Sequence, residues 1–245
     1  YIQIMRAIIL AAGRGSRMNS LTESLPKCRT ILHGKELIQW QMESLKQGGV
    51  DQVAVVRGYL AETFEFDIPY FENARWAESN MVRSLLAARD WLLNDQCIVS
   101  YSDIVYSADV VGKLTQSTSG TAITYDPNWR KLWERRFSDP LSDAETFKLS
   151  GGKLTEIGKR TSSFEDIHGQ YMGLVKFKPE GWKSVDDFLH QLSDESIDSM
   201  DMTTLLQKMI EIGIEIQSVP ISDRWFEVDT ESDLKLYEME EDPLF

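Results

Sequence analysis

Residues 7–28 read AIILAAGRGSRMNSLTESLPKC. The apolar run Ala7 to Leu10 has the length and composition of a buried strand, and it ends at two alanines. Two glycines, two arginines and, behind a proline, a lysine follow. Glycines let backbone N–H groups approach an anion with no Cβ in the way. Ser16 adds a hydroxyl donor, Arg17 a forked guanidinium suited to phosphate oxygens, and Lys27 a mobile point charge able to bridge two phosphates. Ala11 and Ala12 keep the strand end thin enough for a flat base to lie on the backbone.

Three phosphate-loop patterns can be tried against this stretch. GxxxxGK[ST] fails, because the position five residues after Gly13 is Met18. GxGxxG accepts Gly13 and Gly15 but fails at Met18, and no acidic residue follows a second apolar strand at the required distance. G-x-G-[ST]-R-[ML] followed by P-K fits throughout, as Gly13-Arg14-Gly15-Ser16-Arg17-Met18 and Pro26-Lys27.

Outward from the loop, strand-length apolar runs alternate with helical patterns. Residues 36–47 have helical periodicity and stop at Gly48-Gly49; Gln52 to Val56 reads as a strand and Tyr70-Phe71 as a weaker one. Residues 80–93, NMVRSLLAARDWLL, read as one amphipathic helix. Cys97 to Tyr101, a helix over Ala108 to Gln116 and the strand Thr121 to Tyr125 continue the rhythm. Such alternation calls for a mostly parallel sheet flanked by helices. Later, residues 146–157 form a hairpin about Gly151-Gly152, and Tyr171 to Phe177 is a strand. Helices are expected near 181–192 and 201–212, then strands at Ile214 to Val219 and Trp225 to Val228, and a capping box, Thr230 to Asp233, opening a last helix. Met5 reads as the natural start, so one domain is expected over residues 5–245, with 1–4 as added residues and 126–180 as an acceptor-binding insertion.

Composition narrows the functions. The 245 residues carry a net charge of −13, which repels nucleic acid backbones, so a basic loop in this chain is informative. Two cysteines, Cys28 and Cys97, form no CxxC pair, and the three histidines are scattered. No apolar stretch reaches the ~18 residues of a membrane span and no signal peptide is evident, so a cytoplasmic location is expected.

AIILAAGRGSRM with LPK resembles the opening of the sugar-phosphate nucleotidylyltransferases. The resemblance implies a Rossmann-like, GT-A-like α/β fold with a smaller hairpin-containing acceptor region. It also implies transfer of a nucleotidyl group from an NTP to a phosphorylated acceptor, with release of pyrophosphate. Arg17 and Lys27 are then the catalytic cations, with Ala11, Ala12, Gly13, Gly15 and Ser16 lining the nucleotide. Mg²⁺ is the implied cofactor, held by acids at strand ends, where ligands bind in open α/β sheets. Asp103, in CIVSYSDI, and Asp229, in WFEVDT, match the family's two metal-binding positions. Ser102 adjoins the first as a nucleotide contact. Glu227 alternates with Asp229 along its strand and shares its face, so it is expected as a third participant and as an acceptor contact.

Within that superfamily, WAESNMVRSLLAA, residues 76–88, resembles the segment lining the base pocket of the cytidylyltransferases for phosphocholine, 2-aminoethylphosphonate and phosphoglutamine. Asn80 and Ser84 are its base-facing positions, and Asn80 both donates and accepts, as cytosine requires. The P-x-G-[LT]-A segment of sugar nucleotidyltransferases is absent, which favours CTP over UTP or dTTP. Trp129 and Trp133 stand one helical turn apart as an aromatic wall for an alkylammonium group, and Tyr171 lies in a segment, GQYMGL, that approaches the acceptor in the family. Arg130, Arg135 and Arg136 are expected to meet an acceptor carboxylate or phosphonate. The expected partners are therefore CTP and a small phosphorylated or phosphonylated amine or amino acid, with a homodimer as the assembly. The competing readings are a sugar-1-phosphate uridylyl- or thymidylyltransferase and a non-catalytic nucleotide-sensing subunit. A glycosyltransferase of similar architecture would want D-x-D at one strand end, and YSDIV is not one.

Overall fold

The computed structural model describes residues 4–240. Most of the four residues expected to precede the natural start therefore lie outside the described residues. In chain order the elements are β1 (Met5–Ala11), β2 (Ile31–Leu32), β3 (Lys35–Glu36), α1 (Leu37–Gln47), β4 (Gln52–Arg57) and β5 (Tyr70–Glu72). There follow α2 (Met81–Ala87), α3 (Arg89–Asn94), β6 (Gln96–Tyr101), β7 (Ile104–Tyr106), α4 (Ala108–Thr115) and β8 (Thr121–Asp126). Next come α5 (Trp129–Arg136), β9 (Glu145–Ser150), β10 (Lys153–Arg160), β11 (Gln170–Phe177) and α6 (Pro179–Leu189). The last are α7 (Asp194–Asp198), α8 (Met202–Glu211), β12 (Gln217–Pro220), β13 (Trp225–Glu227) and α9 (Glu231–Glu238).

A nine-stranded sheet runs in the order β5-β4-β1-β6-β11-β8-β12-β10-β9. Every strand except β11 and β10 points the same way. β1 is an interior strand, apolar on both faces, as a strand covered from two sides must be. Its alternation sends Ala7, Ile9 and Ala11 into one core cluster and Ile8, Leu10 and Ala12 into the other. Helices α1, α4, α5 and α9 cover the first face, and α2, α3, α6 and α8 the second. Residues 126–180 are threaded into this same sheet: β11 pairs between β6 and β8, and the β9–β10 hairpin extends the far edge. Gly151 and Gly152 have φ of 56° and 77°, as a two-residue hairpin turn requires. None of the described helices is long and apolar enough to cross a membrane.

Two sequence expectations need correction. The helix over 80–93 is broken at Ala88, whose φ and ψ are −100° and 19°. Propensity allows one helix, but packing divides it. Past the break, Arg89 reaches the buried Asp186 of α6 with two hydrogen bonds of 2.6 and 2.7 Å, and Trp91 packs edge-on against Phe71. The strand expected from Ile214 begins at Gln217; Ile216 instead gives its carbonyl to Leu154 at the hairpin. Sequence reading also missed β7, which pairs antiparallel with β13 in a small separate sheet.

Candidate active site

β1 delivers the chain to a loop whose anchor is Met18. That side chain is fully buried, and its N–H donates to the Gly15 carbonyl at 3.0 Å. Gly13, Arg14, Ser16 and Arg17 are thereby held exposed above the buried Ala11 and Ala12. The two glycines serve different ends. A Cβ on Gly13 would meet nothing within 4 Å, so the backbone there is open to a ligand. Gly15 has φ of +66°, and a Cβ on it would lie 2.7 Å from Lys27 Cβ and 2.8 Å from Cδ. The second glycine is required by the lysine that crosses it.

Lys27 does not stand free over the loop but is already paired. Its side chain is 9% exposed, and its ammonium donates to Asp103 Oδ2 at 2.8 Å and to Asp229 Oδ1 at 2.6 Å. Arg17, largely exposed, closes on the other oxygen of Asp229. Two acids 126 residues apart thus share one lysine. They meet because β7 and β13 pair, Ile104 opposite Glu227, and because Val228 N–H donates to the Asp103 carbonyl at 2.7 Å. Burial pulls the Lys27 pKa down, but the two carboxylates outweigh it and hold the ammonium charged. Burial pushes Asp229 up, and Lys27 with Arg17 bring it below the usual range.

The Asp229 turn is braced from behind. Asp233 completes the capping box and accepts from the N–H groups of both Asp229 and Thr230 at 3.0 Å. Asp233 is in turn held by Arg136, whose side chain is 1% exposed and also engages Glu227. Arg136 is therefore a buried strut and not the acceptor contact expected of it. Arg130 pairs with Glu134 and Arg135 with Glu240, so those two are committed elsewhere as well. Burial, with Asp103 and Asp229 adding and Arg136 opposing, pushes Glu227 up to about 7.

Two cavities adjoin the loop and its cations, and Met81 lines both. A small one of about 90 Å³ is lined by Ala12, Gly13, Trp76, Asn80, Met81 and Ser84, among others. Its polar wall is organised by a residue that sequence reading missed. Asn73, 5% exposed, donates to Ser79 Oγ and Ser84 Oγ at 3.0 Å each. Its side-chain oxygen accepts from Arg75 N–H, an Asx turn that only the fold brings opposite α2. Asn80 borders the cavity and also caps its helix, accepting from Met81 N–H at 2.8 Å.

The larger cavity, about 310 Å³, begins at Arg17 and Glu227 and is walled by Tyr101, Tyr171, Trp133 and Trp225. Trp129 is not on it; it is buried between Trp133 and Phe164, with ring centroids 5.8 and 6.2 Å away. The expected aromatic wall thus consists of Trp133 with Trp225, contributed by a distant strand. Ser102, half-buried between β6 and β7, lines neither cavity.

The carboxylates can be tested against the implied Mg²⁺. Asp103 Oδ1 is buried and has no hydrogen-bond partner, a free acceptor beside a second carboxylate. Among the described residues no group of three or more His, Cys, Asp or Glu is arranged around a metal. Mg²⁺ is commonly held by one or two carboxylates, water and substrate phosphates, so a pair of aspartates fits it.

Residues 7–146 match the family model of the MobA-like NTP transferase domain. The CTP:phosphoglutamine cytidylyltransferase of Campylobacter jejuni is 38% identical, over 95% of this chain and 98% of its own. The choline-phosphate cytidylyltransferase of Streptococcus pneumoniae is 25% identical, over 85% of this chain and 98% of its own. Among solved structures, the inositol-1-phosphate CTP transferase of T. maritima superposes with a TM-score of 0.77 at 21% identity, covering 96% of this chain and 94% of that one, which establishes the likeness of fold.

Proposed function

Because the chain belongs to the MobA-like NTP transferase family, we propose that it transfers CMP from CTP to a small phosphorylated or phosphonylated amine or amino acid, releasing pyrophosphate. The observation that carries this reading is the cluster in which Lys27 and Arg17 converge on Asp103 and Asp229, beside a loop whose Gly13 lines a small cavity and whose Arg17 lines a larger one. The full-length likeness to two cytidylyltransferases supports CTP as donor.

In this reading the base enters the small cavity against Ala12 and Gly13, and the triphosphate lies over the loop from Gly13 to Arg17. An anionic oxygen of the acceptor's phosphoryl group attacks the α-phosphorus. The bond from that phosphorus to the α,β-bridging oxygen breaks, and its electron pair leaves with pyrophosphate. The attacking oxygen is already ionised at neutral pH, so no strong general base is needed. Lys27 turns from the carboxylates to hold the α-phosphate and the acceptor phosphoryl group together against their repulsion, and Arg17 grips the departing phosphates. Asp103 and Asp229 would hold Mg²⁺, which supplies charge neutralisation on the phosphates.

The test is pyrophosphate release across four NTPs and a panel of acceptors. CTP should exceed UTP by at least about tenfold in kcat/KM. Equal rates with UTP, or a preference for dTTP, would remove the cytidylyl assignment.

A further inference from the structure

Most charges around the catalytic cluster are paired. The larger cavity holds the exception. Asp143, Glu145, Asp201 and Arg160 all line it, and among the described residues none of the four enters an ion pair. Asp143 accepts from Trp133 Nε1 at 3.0 Å, Asp201 caps α8 by accepting from Thr204 N–H at 2.8 Å, and Arg160 donates to the Ser142 carbonyl at 2.6 Å. Arg160 stands opposite Glu145 in the β9–β10 ladder. Burial raises the Glu145 pKa, and Asp201 and Asp143 raise it further while Arg160 opposes them. Three carboxylates facing one cavity call for a cation between them. An arginine at their edge, bonded only to a backbone carbonyl, retains N–H groups for an anion.

We propose that these four residues read an amino-acid zwitterion: Asp143, Glu145 and Asp201 take the acceptor's ammonium group and Arg160 takes its carboxylate. The inference rests on the cytidylyltransferase reading and deepens it by choosing the acceptor class. The phosphoryl group faces Arg17 and Lys27, and the amino-acid end faces these four residues. Phosphocholine and 2-aminoethylphosphonate carry a cation but no carboxylate and leave Arg160 unmatched. A sugar phosphate leaves the three acids without a cation.

The experiment measures CTP-dependent pyrophosphate release with phosphoglutamine, phosphocholine and 2-aminoethylphosphonate, for the wild type and for Arg160→Met. The wild type should favour phosphoglutamine by at least about tenfold in kcat/KM. Arg160 is exposed, so the variant should fold. It should lose about a hundredfold in kcat/KM on phosphoglutamine and less than about threefold on the other two acceptors, with KM for CTP unchanged. An equal loss on all three would mean that Arg160 grips the phosphoryl group and would overturn the proposal. No loss on phosphoglutamine, or a wild-type preference for phosphocholine, would do the same while leaving CMP transfer intact. Release from UTP or dTTP but not from CTP would instead overturn the cytidylyl reading beneath it.

Discussion

Replacing Lys27 with alanine tests the centre of the site. The ammonium sits 2.8 Å from one carboxylate oxygen and 2.6 Å from another. At an effective dielectric near 20, each contact has a gross attraction of roughly 6 kcal/mol, most of it offset by desolvation. What remains after the substitution is Asp103 beside Asp229 with Arg17 as the nearest cation, itself largely exposed. Breaking a buried pair costs about 3–5 kcal/mol. The two acids here keep 21% and 19% exposure, so water shares the load and ~2–3 kcal/mol is expected. For a chain of this size that is a fall in Tm of about 4–12 °C. The same change empties the place between two carboxylates, so Mn²⁺ or Mg²⁺ without nucleotide should bind about tenfold more tightly and, at a concentration well above both dissociation constants, stabilise the variant by ~1.4 kcal/mol more than the wild type. The assay is thermal unfolding over a divalent-cation titration, wild type against variant. The pH dependence has a sign. Asp229 is held below its ordinary 3.8, so its contribution is complete above that value and is lost as pH falls through the lower folded value. The gap between wild type and variant should therefore narrow below about pH 4. Turnover should fall by about a hundredfold or more, with a milder change in CTP binding. A variant as stable as wild type, indifferent to Mn²⁺ and with normal kcat at saturation, would refute both the electrostatic role and the proposed metal pair.

Gly15→Ala should cost about 1–3 kcal/mol through its left-handed backbone, and it should lower kcat by displacing Lys27; urea unfolding and steady-state rates read the two effects. Asn73→Ala releases Ser79 and Ser84 from their shared donor, so KM for CTP should rise about tenfold with a smaller change in kcat, and an unchanged KM would sever that wall from the base. Arg136→Met leaves Asp233 and Glu227 without their buried partner, and should destabilise by about 3 kcal/mol and slow turnover by loosening the Asp229 turn, measured by calorimetry alongside kcat.

Residues 7–28 declared much of this protein before any coordinates. The apolar run, the ordered glycines and the cations behind them are adjacent in sequence, and their spacing is a local property. The same holds for the periodicities of α1, α4 and α8, for the hairpin at Gly151-Gly152 and for the capping box at Thr230. Asp103 and Asp229 were legible as strand-end acids because a strand end is also a local feature. Their meeting was not legible. It depends on β7 pairing with β13, and β7 is three residues long, too short to announce itself by period. Burial likewise escaped a one-dimensional reading. Arg136 and Arg160 look alike in the chain, yet one is locked among acids beneath the site and the other lines a cavity. Trp129 and Trp133 share a helical face, yet only one reaches that cavity. The partner that braces Ser84, Asn73, lies in the turn after β5, where nothing in the local pattern marks it. Local chemistry settled the loop and the class of fold, because both follow from neighbours along the chain. Only the tertiary structure decided which charges neutralise one another and which are left for a ligand, because that depends on distances between residues far apart in sequence.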